Sequence, residues 1–135
     1  MNRRDLCVLL LSGPSVVLAG CATLRSAPFT IERDRLVVQL VDLDEDGAAV
    51  LAGPPLDTPV YVRRTVEGTY LAVYLQCTHR GCTVKPADDR LACPCHGSEF
   101  SFSGAVLHGP AARPLLRLDV VGEGDRLLVA FPPRL

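Results

Sequence analysis

From residue 35 onward the apolar residues come in short runs separated by Gly, Pro and charged turns, which is the spacing of strands. Leu36–Leu43 is rich in Val and Leu. Val60–Arg63 and Thr69–Leu75 flank Glu67-Gly68 and are expected to pair around that turn. Leu91, Phe100–Phe102 and Ala105–Leu107 are shorter candidates. Leu115–Val121 and Arg126–Phe131 flank Gly122-Glu123-Gly124-Asp125, which reads as a hairpin turn. Pro132-Pro133 ends the last run, because proline has no N–H to give to a ladder. No segment shows convincing helical periodicity, and no internal repeat is present. The pattern predicts an all-β domain of short strands.

The N-terminal stretch follows a different rule. Arg3 and Arg4 precede an apolar run from Leu6 towards Ala19, broken by Ser12-Gly13-Pro14-Ser15. The run is too short to span a bilayer, which takes roughly 20 apolar residues. A buried N-terminal helix is the bland alternative, but Pro14 would break it. A basic start, a short apolar run and small residues at its end read as an export signal over residues 1–20. Leu18-Ala19-Gly20-Cys21 resembles a bacterial lipobox, in which cleavage precedes a cysteine that is then acylated. Asn2-Arg3-Arg4-Asp5-Leu6 also resembles a twin-arginine signal, a route that carries folded proteins. The expected organisation is a cleaved signal at 1–20, a lipidated tether at 21–34 and one domain at 35–135. An acylated Cys21 would hold the chain to a membrane, since each buried methylene contributes about 0.8 kcal/mol.

Composition narrows the class without naming a function. A chain of 135 residues has room for one domain. A domain this small gains from a cross-link or a metal. Apolar residues make up 48 % but Trp is absent, so Val and Leu must fill the core. A net charge of −1 gives no electrostatic pointer to nucleic acid. Asp42-Leu43-Asp44-Glu45-Asp46-Gly47 resembles the start of a calcium loop, but its twelfth position is Gly53 where a bidentate Glu belongs. An acidic surface turn is the better reading.

The chemistry lies in Cys77-Thr78-His79-Arg80-Gly81-Cys82 and Cys93-Pro94-Cys95-His96-Gly97-Ser98. Each segment offers two Cys and one His, which are soft or borderline ligands for iron, zinc and copper. Cys95 and His96 are adjacent and tend to project apart, which favours Cys93 as the partner of His96. Cys82 and Cys95 then form a matched pair, one per segment, able to close a disulfide in an oxidising compartment. Zinc uses the same residue types. It would, however, leave the second Cys of each segment unexplained, and Cys-x-His is tight for a zinc knuckle. A pure disulfide scaffold leaves His79 and His96 without a role. His108 is read as a loop residue near the site and not as a ligand.

The two segments together resemble the double signature of the Rieske iron–sulfur family, with only Arg80 varying. Gly109-Pro110-Ala111-Ala112-Arg113-Pro114-Leu115 resembles the Gly-Pro segment that covers the cluster there. The resemblance spans roughly residues 70–120. It implies one 2Fe–2S cluster, with Cys77 and Cys93 binding one iron and His79 and His96 the other. It further implies a Cys82–Cys95 disulfide closing the two loops, as in high-potential members, and a Ser98 hydroxyl bonded to a bridging sulfide. Two ferric ions, two sulfides, two thiolates and two neutral imidazoles sum to zero charge, which makes an electron easier to add than to a four-thiolate cluster. Phe100 stands where high-potential members often carry Tyr.

The resulting expectation is a lipid-anchored electron-transfer protein facing the periplasm or the cell exterior. It would pass single electrons between a quinol or partner oxidoreductase and an acceptor such as a c-type cytochrome. The alternative is the Rieske subunit of a quinol–cytochrome complex or of an arsenite-oxidase-type enzyme. An oxygenase is not expected, because the length leaves no room for a mononuclear-iron domain. A cytosolic dioxygenase ferredoxin is disfavoured by the export signal and by Cys82 and Cys95.

Overall fold

A computed structural model describes residues 26–133. The expected signal segment, the lipobox and Cys21 lie outside the described residues. The strands are β1 (Thr30–Glu32), β2 (Arg35–Gln39), β3 (Ala48–Leu51), β4 (Val60–Arg64), β5 (Tyr70–Tyr74), β6 (Lys85–Pro86), β7 (Leu91–Ala92), β8 (Glu99–Phe100), β9 (Val106–His108), β10 (Arg117–Leu118), β11 (Val120–Glu123) and β12 (Arg126–Ala130). They form three four-stranded sheets, ordered β1-β2-β12-β11, β10-β5-β4-β3 and β6-β7-β8-β9. Every strand pair is antiparallel, and the only helical piece among the described residues is a 3-10 turn at Leu40–Asp42. The described residues are all-β apart from that turn, as the pattern predicts.

The middle sheet is covered on both faces. Val60 and Val62 of β4 and Ala72 and Tyr74 of β5 enter one core with Leu36, Val38, Leu127 and Val129 of the first sheet. Tyr61, Leu71, Val73 and Leu75 point the other way, into a second core with Leu91 and Phe100 of the small sheet. A strand buried on both faces reads as a continuous apolar run, which is why β4 and β5 lack alternation. Fully burying each such Val or Leu contributes about 1.5–3 kcal/mol.

Several boundaries differ from the sequence expectation. The run Leu36–Leu43 is a strand only to Gln39; the 3-10 turn then takes over, with Leu40 N–H donating to the Asp125 carbonyl at 2.8 Å. Leu115–Val121 is split between two sheets, β10 pairing with β5 and β11 with β12. The chain changes sheet at Asp119, whose carbonyl accepts from Ala130 N–H at 2.8 Å. Residues 26–34, expected to belong to the tether, are part of the folded body. Ser26 bridges Val50, Ala27 is buried, and β1 pairs with β2. Burial of Ala27 and Phe29 against the first core accounts for this. The acidic segment is a turn, closed by Asp44 Oδ1, which accepts from Asp46 N–H at 2.9 Å and Ala48 N–H at 2.8 Å.

Candidate metal centre

Strand alternation aims the sulfurs. Leu71, Val73, Leu75 and Cys77 fall on one side of β5 and its continuation, and all four enter the second core. Leu91 and Cys93 do the same from β7. Leu91 lies opposite Phe100 and Ala92 opposite Glu99, so Ser98 comes opposite Cys93. Cys77 and Cys93 are free thiols, each 3 % exposed, and Ser98 is fully buried.

The two loops share one backbone frame. In residues 77–82, Cys77 N–H donates to the Cys82 carbonyl and Gly81 N–H to the Cys77 carbonyl, both at 2.8 Å. In residues 93–98, Cys93 N–H donates to the Ser98 carbonyl at 2.8 Å and Gly97 N–H to the Cys93 carbonyl at 3.2 Å. Gly81 and Gly97 have φ of +78° and +81°, where a Cβ costs about 1–2 kcal/mol. Each loop is therefore a hairpin tip with Cys first and a left-handed Gly fifth.

The tips are joined by the Cys82–Cys95 disulfide, with Cα atoms 6.5 Å apart. His79 and His96 meet edge to face, ring centroids 5.0 Å apart, with His79 half-buried and His96 exposed. The Cys93 sulfur also lies within 4.8 Å of both disulfide sulfurs. Those two are already bonded to each other and cannot serve as thiolates, so Cys93 is the one candidate ligand of that trio. The third wall is the segment 109–114. Ala111 N–H donates to Ser98 Oγ at 3.0 Å, and Thr78 Oγ1 donates to the Arg113 carbonyl at 2.6 Å. The segment is thus tied to both loops. Thr78 lies within the motif, but this contact spans 35 positions and has no local sequence signal. His108 is not on a loop: it belongs to β9, opposite Glu99, and is exposed.

Beneath the loops lie Val84 and Phe100, both buried in the second core with Tyr61. The Tyr61 hydroxyl accepts from Arg63 Nη1 at 3.0 Å, and the Arg63 guanidinium covers the Phe102 ring at 4.1 Å. Burial pushes the Tyr61 hydroxyl above its ordinary value, and Arg63 pulls it part of the way back.

The donor set fits a 2Fe–2S centre. Each loop brings one buried thiol, and their two imidazoles meet edge to face. Ser98 Oγ accepts from Ala111, so its own proton remains available to donate. A zinc site would leave the disulfide between the tips without a purpose. Such a cluster, when bound, takes up and releases one electron at a time.

Comparison with known proteins agrees with this geometry. The family model described as "Rieske [2Fe-2S] domain" matches residues 36–127. The chain is similar to the cytochrome b6-f complex iron-sulfur subunit 3 of Nostoc sp. PCC 7120, 28 % identical over 96 % of this chain and 85 % of that protein. It is 37 % identical to subunit 2 of the same organism over 53 % of this chain and 43 % of that protein, so it spans less than half of that relative's length. Among solved structures it resembles the cyanobacterial plasma membrane Rieske protein PetC3 from Synechocystis PCC 6803. That match has a TM-score of 0.58 and 36 % identity, and covers 67 % of this chain and 93 % of that one. Fold, disulfide and family model agree, and the chain belongs to the Rieske [2Fe–2S] domain family.

Proposed function

We propose that this protein is a lipid-anchored electron carrier facing the periplasm or the cell exterior. It moves single electrons between a quinol or partner oxidoreductase and an acceptor such as a c-type cytochrome. Cys77 and Cys93 would hold one iron as thiolates, and His79 and His96 the other as imidazoles. Ser98 Oγ, already accepting from Ala111 N–H, would keep its O–H free to donate a hydrogen bond to the cluster. The observation that carries the reading is the meeting of two imidazoles, 5.0 Å apart, from two disulfide-linked loops that each also hold a buried free thiol. The anchor rests on Leu18-Ala19-Gly20-Cys21, and the likeness to a solved plasma membrane Rieske protein is in keeping with it.

A second reading is a subunit of a quinol-oxidising cytochrome complex. It is favoured by the relative that matches along 96 % of this chain, whose name places it in the cytochrome b6-f complex.

Protein purified from native membranes tests both. It should contain about two irons and two labile sulfides per chain, and the reduced form should give a rhombic paramagnetic signal with a low average g. His96→Ala should remove that signal. Stoichiometric zinc without labile sulfide would overturn the assignment. Mass spectrometry should find an acylated Cys21 at the N-terminus, and Cys21→Ser should release the protein or leave its signal uncleaved. Co-purification with a cytochrome b would favour the second reading.

A further inference from the structure

We infer that Arg80, Lys85 and Arg113 make the cluster-bearing tip a cationic docking surface for a redox protein whose own docking face is acidic. This rests on the proposal above that the two loops hold a 2Fe–2S cluster that passes electrons to a partner. The tip is formed by residues 76–86, 92–98 and 108–114, which hold these three cations and three histidines but not one Asp or Glu. Arg80 directly follows His79. The Thr78 bond to the Arg113 carbonyl sets Arg113 beside the same loop. Lys85 lies opposite Ala92, the residue before Cys93. All three are exposed.

Charge is segregated over the molecule, although the chain as a whole carries only −1. The ion pairs among the described residues use Arg90 and Arg126. Glu99, one residue outside the second loop, is neutralised by Arg90 at 2.6 Å. Asp88 and Asp89 sit in the turn between β6 and β7, at the far end of that hairpin from Cys93. The tip cations therefore have no acidic partner among the described residues. Pressing them against an apolar surface would strip their water without compensation. An acidic face would neutralise them and steer the encounter.

Full-length, cluster-loaded protein in detergent tests this with two inorganic oxidants, ferricyanide and tris(phenanthroline)cobalt(III). In each reaction one electron leaves the reduced protein and reduces one metal complex. The rate with ferricyanide should fall as salt rises, and the rate with the cobalt cation should rise or stay level. Arg80→Glu with Arg113→Glu should lower the ferricyanide rate at least tenfold at low salt and reverse the sign of its salt dependence, while the visible spectrum stays intact. The redox-inert anion hexacyanocobaltate(III), followed by equilibrium dialysis, should bind the wild type and lose affinity for the variant. Should the charge reversal prevent folding, Arg80→Gln with Arg113→Gln should give a smaller fall of the same sign. Salt-independent ferricyanide kinetics, or an unchanged rate in an intact variant, would overturn the inference. So would arginine-dependent preference for anionic over neutral phospholipid vesicles, which would make the tip a lipid surface. Absence of labile sulfide would instead defeat the earlier proposal, so the two failures are distinguishable.

Discussion

The loops 77–82 and 93–98 make the same two backbone hydrogen bonds and use the same left-handed glycine, yet they carry different side chains on that frame. The first position is Cys in both. The third is His79 in one loop and Cys95 in the other, and the fourth is Arg80 and His96. The sixth is Cys82, half-exposed, against Ser98, fully buried. The difference teaches how one turn serves two purposes. The shared frame aims a cysteine into the second core on each side, and the unshared positions divide the remaining work between imidazole, disulfide and hydroxyl. Because the sixth residues differ, the second loop alone holds the cover segment through a buried hydroxyl, and the first holds it through Thr78 instead.

The largest test of this equivalence is at the first position. Cys77→Ser and Cys93→Ser should each abolish labile sulfide and the visible spectrum. If either variant keeps its full sulfide content, the two loops are not equivalent. Next in size is the disulfide. Cys82→Ala opens a link between residues 13 apart in sequence, and should cost about 3 kcal/mol in denaturant unfolding under oxidising conditions. Cys95→Ala should match it, because either change breaks the same bond.

The glycines come third. A Cβ on Gly97 would meet nothing within 4 Å, and one on Gly81 would meet only the Gln76 amide nitrogen at 3.5 Å. Gly81→Ala and Gly97→Ala should therefore each cost only the backbone strain, about 1–2 kcal/mol. Unequal midpoint shifts in thermal unfolding would show that one turn is held more tightly than the other. The smallest effect lies beneath the loops, where Val84 and Phe100 occupy corresponding places two residues after each tip. Phe100 shares its strand face with Ser98 and faces the side on which Cys93 enters the core. In Phe100→Tyr the new hydroxyl should reach the cysteine sulfur and stabilise the reduced form by about 1 kcal/mol, roughly 40 mV for one electron. Voltammetry of both proteins at one pH measures the shift, and an unchanged potential with the cluster intact would show that the ring edge points elsewhere.

Much of the site is legible in the sequence. Cys77, His79, Cys93 and His96 stand within two six-residue motifs, and glycine at 81 and 97 marks positions where the backbone must turn left-handed. These are local constraints, and local constraints are written in adjacent residues. Less legible were the boundaries. Phe100–Phe102 is a strand only at Glu99–Phe100, because the chain turns at once, with Gly104 N–H donating to the Ser101 carbonyl at 2.9 Å. Thr30–Glu32 and Ala48–Leu51 were not anticipated as strands; their short runs become strands only by pairing with β2 and β4.

The sequence by itself determined the β class, the chemical type of the donors, and the spacing that lets each turn present a cysteine and a histidine. It determined these because alternation, turn residues and ligand softness act over a few neighbouring positions. The Cys82–Cys95 link expected from the sequence is present, whereas only the tertiary structure decided that Thr78 and Ser98 tie the 109–114 segment to both loops and that β4 and β5 serve two cores. Those contacts join residues far apart in the chain. Their energies exist only once three sheets stack and bring the loops to one end, so no window of sequence contains them.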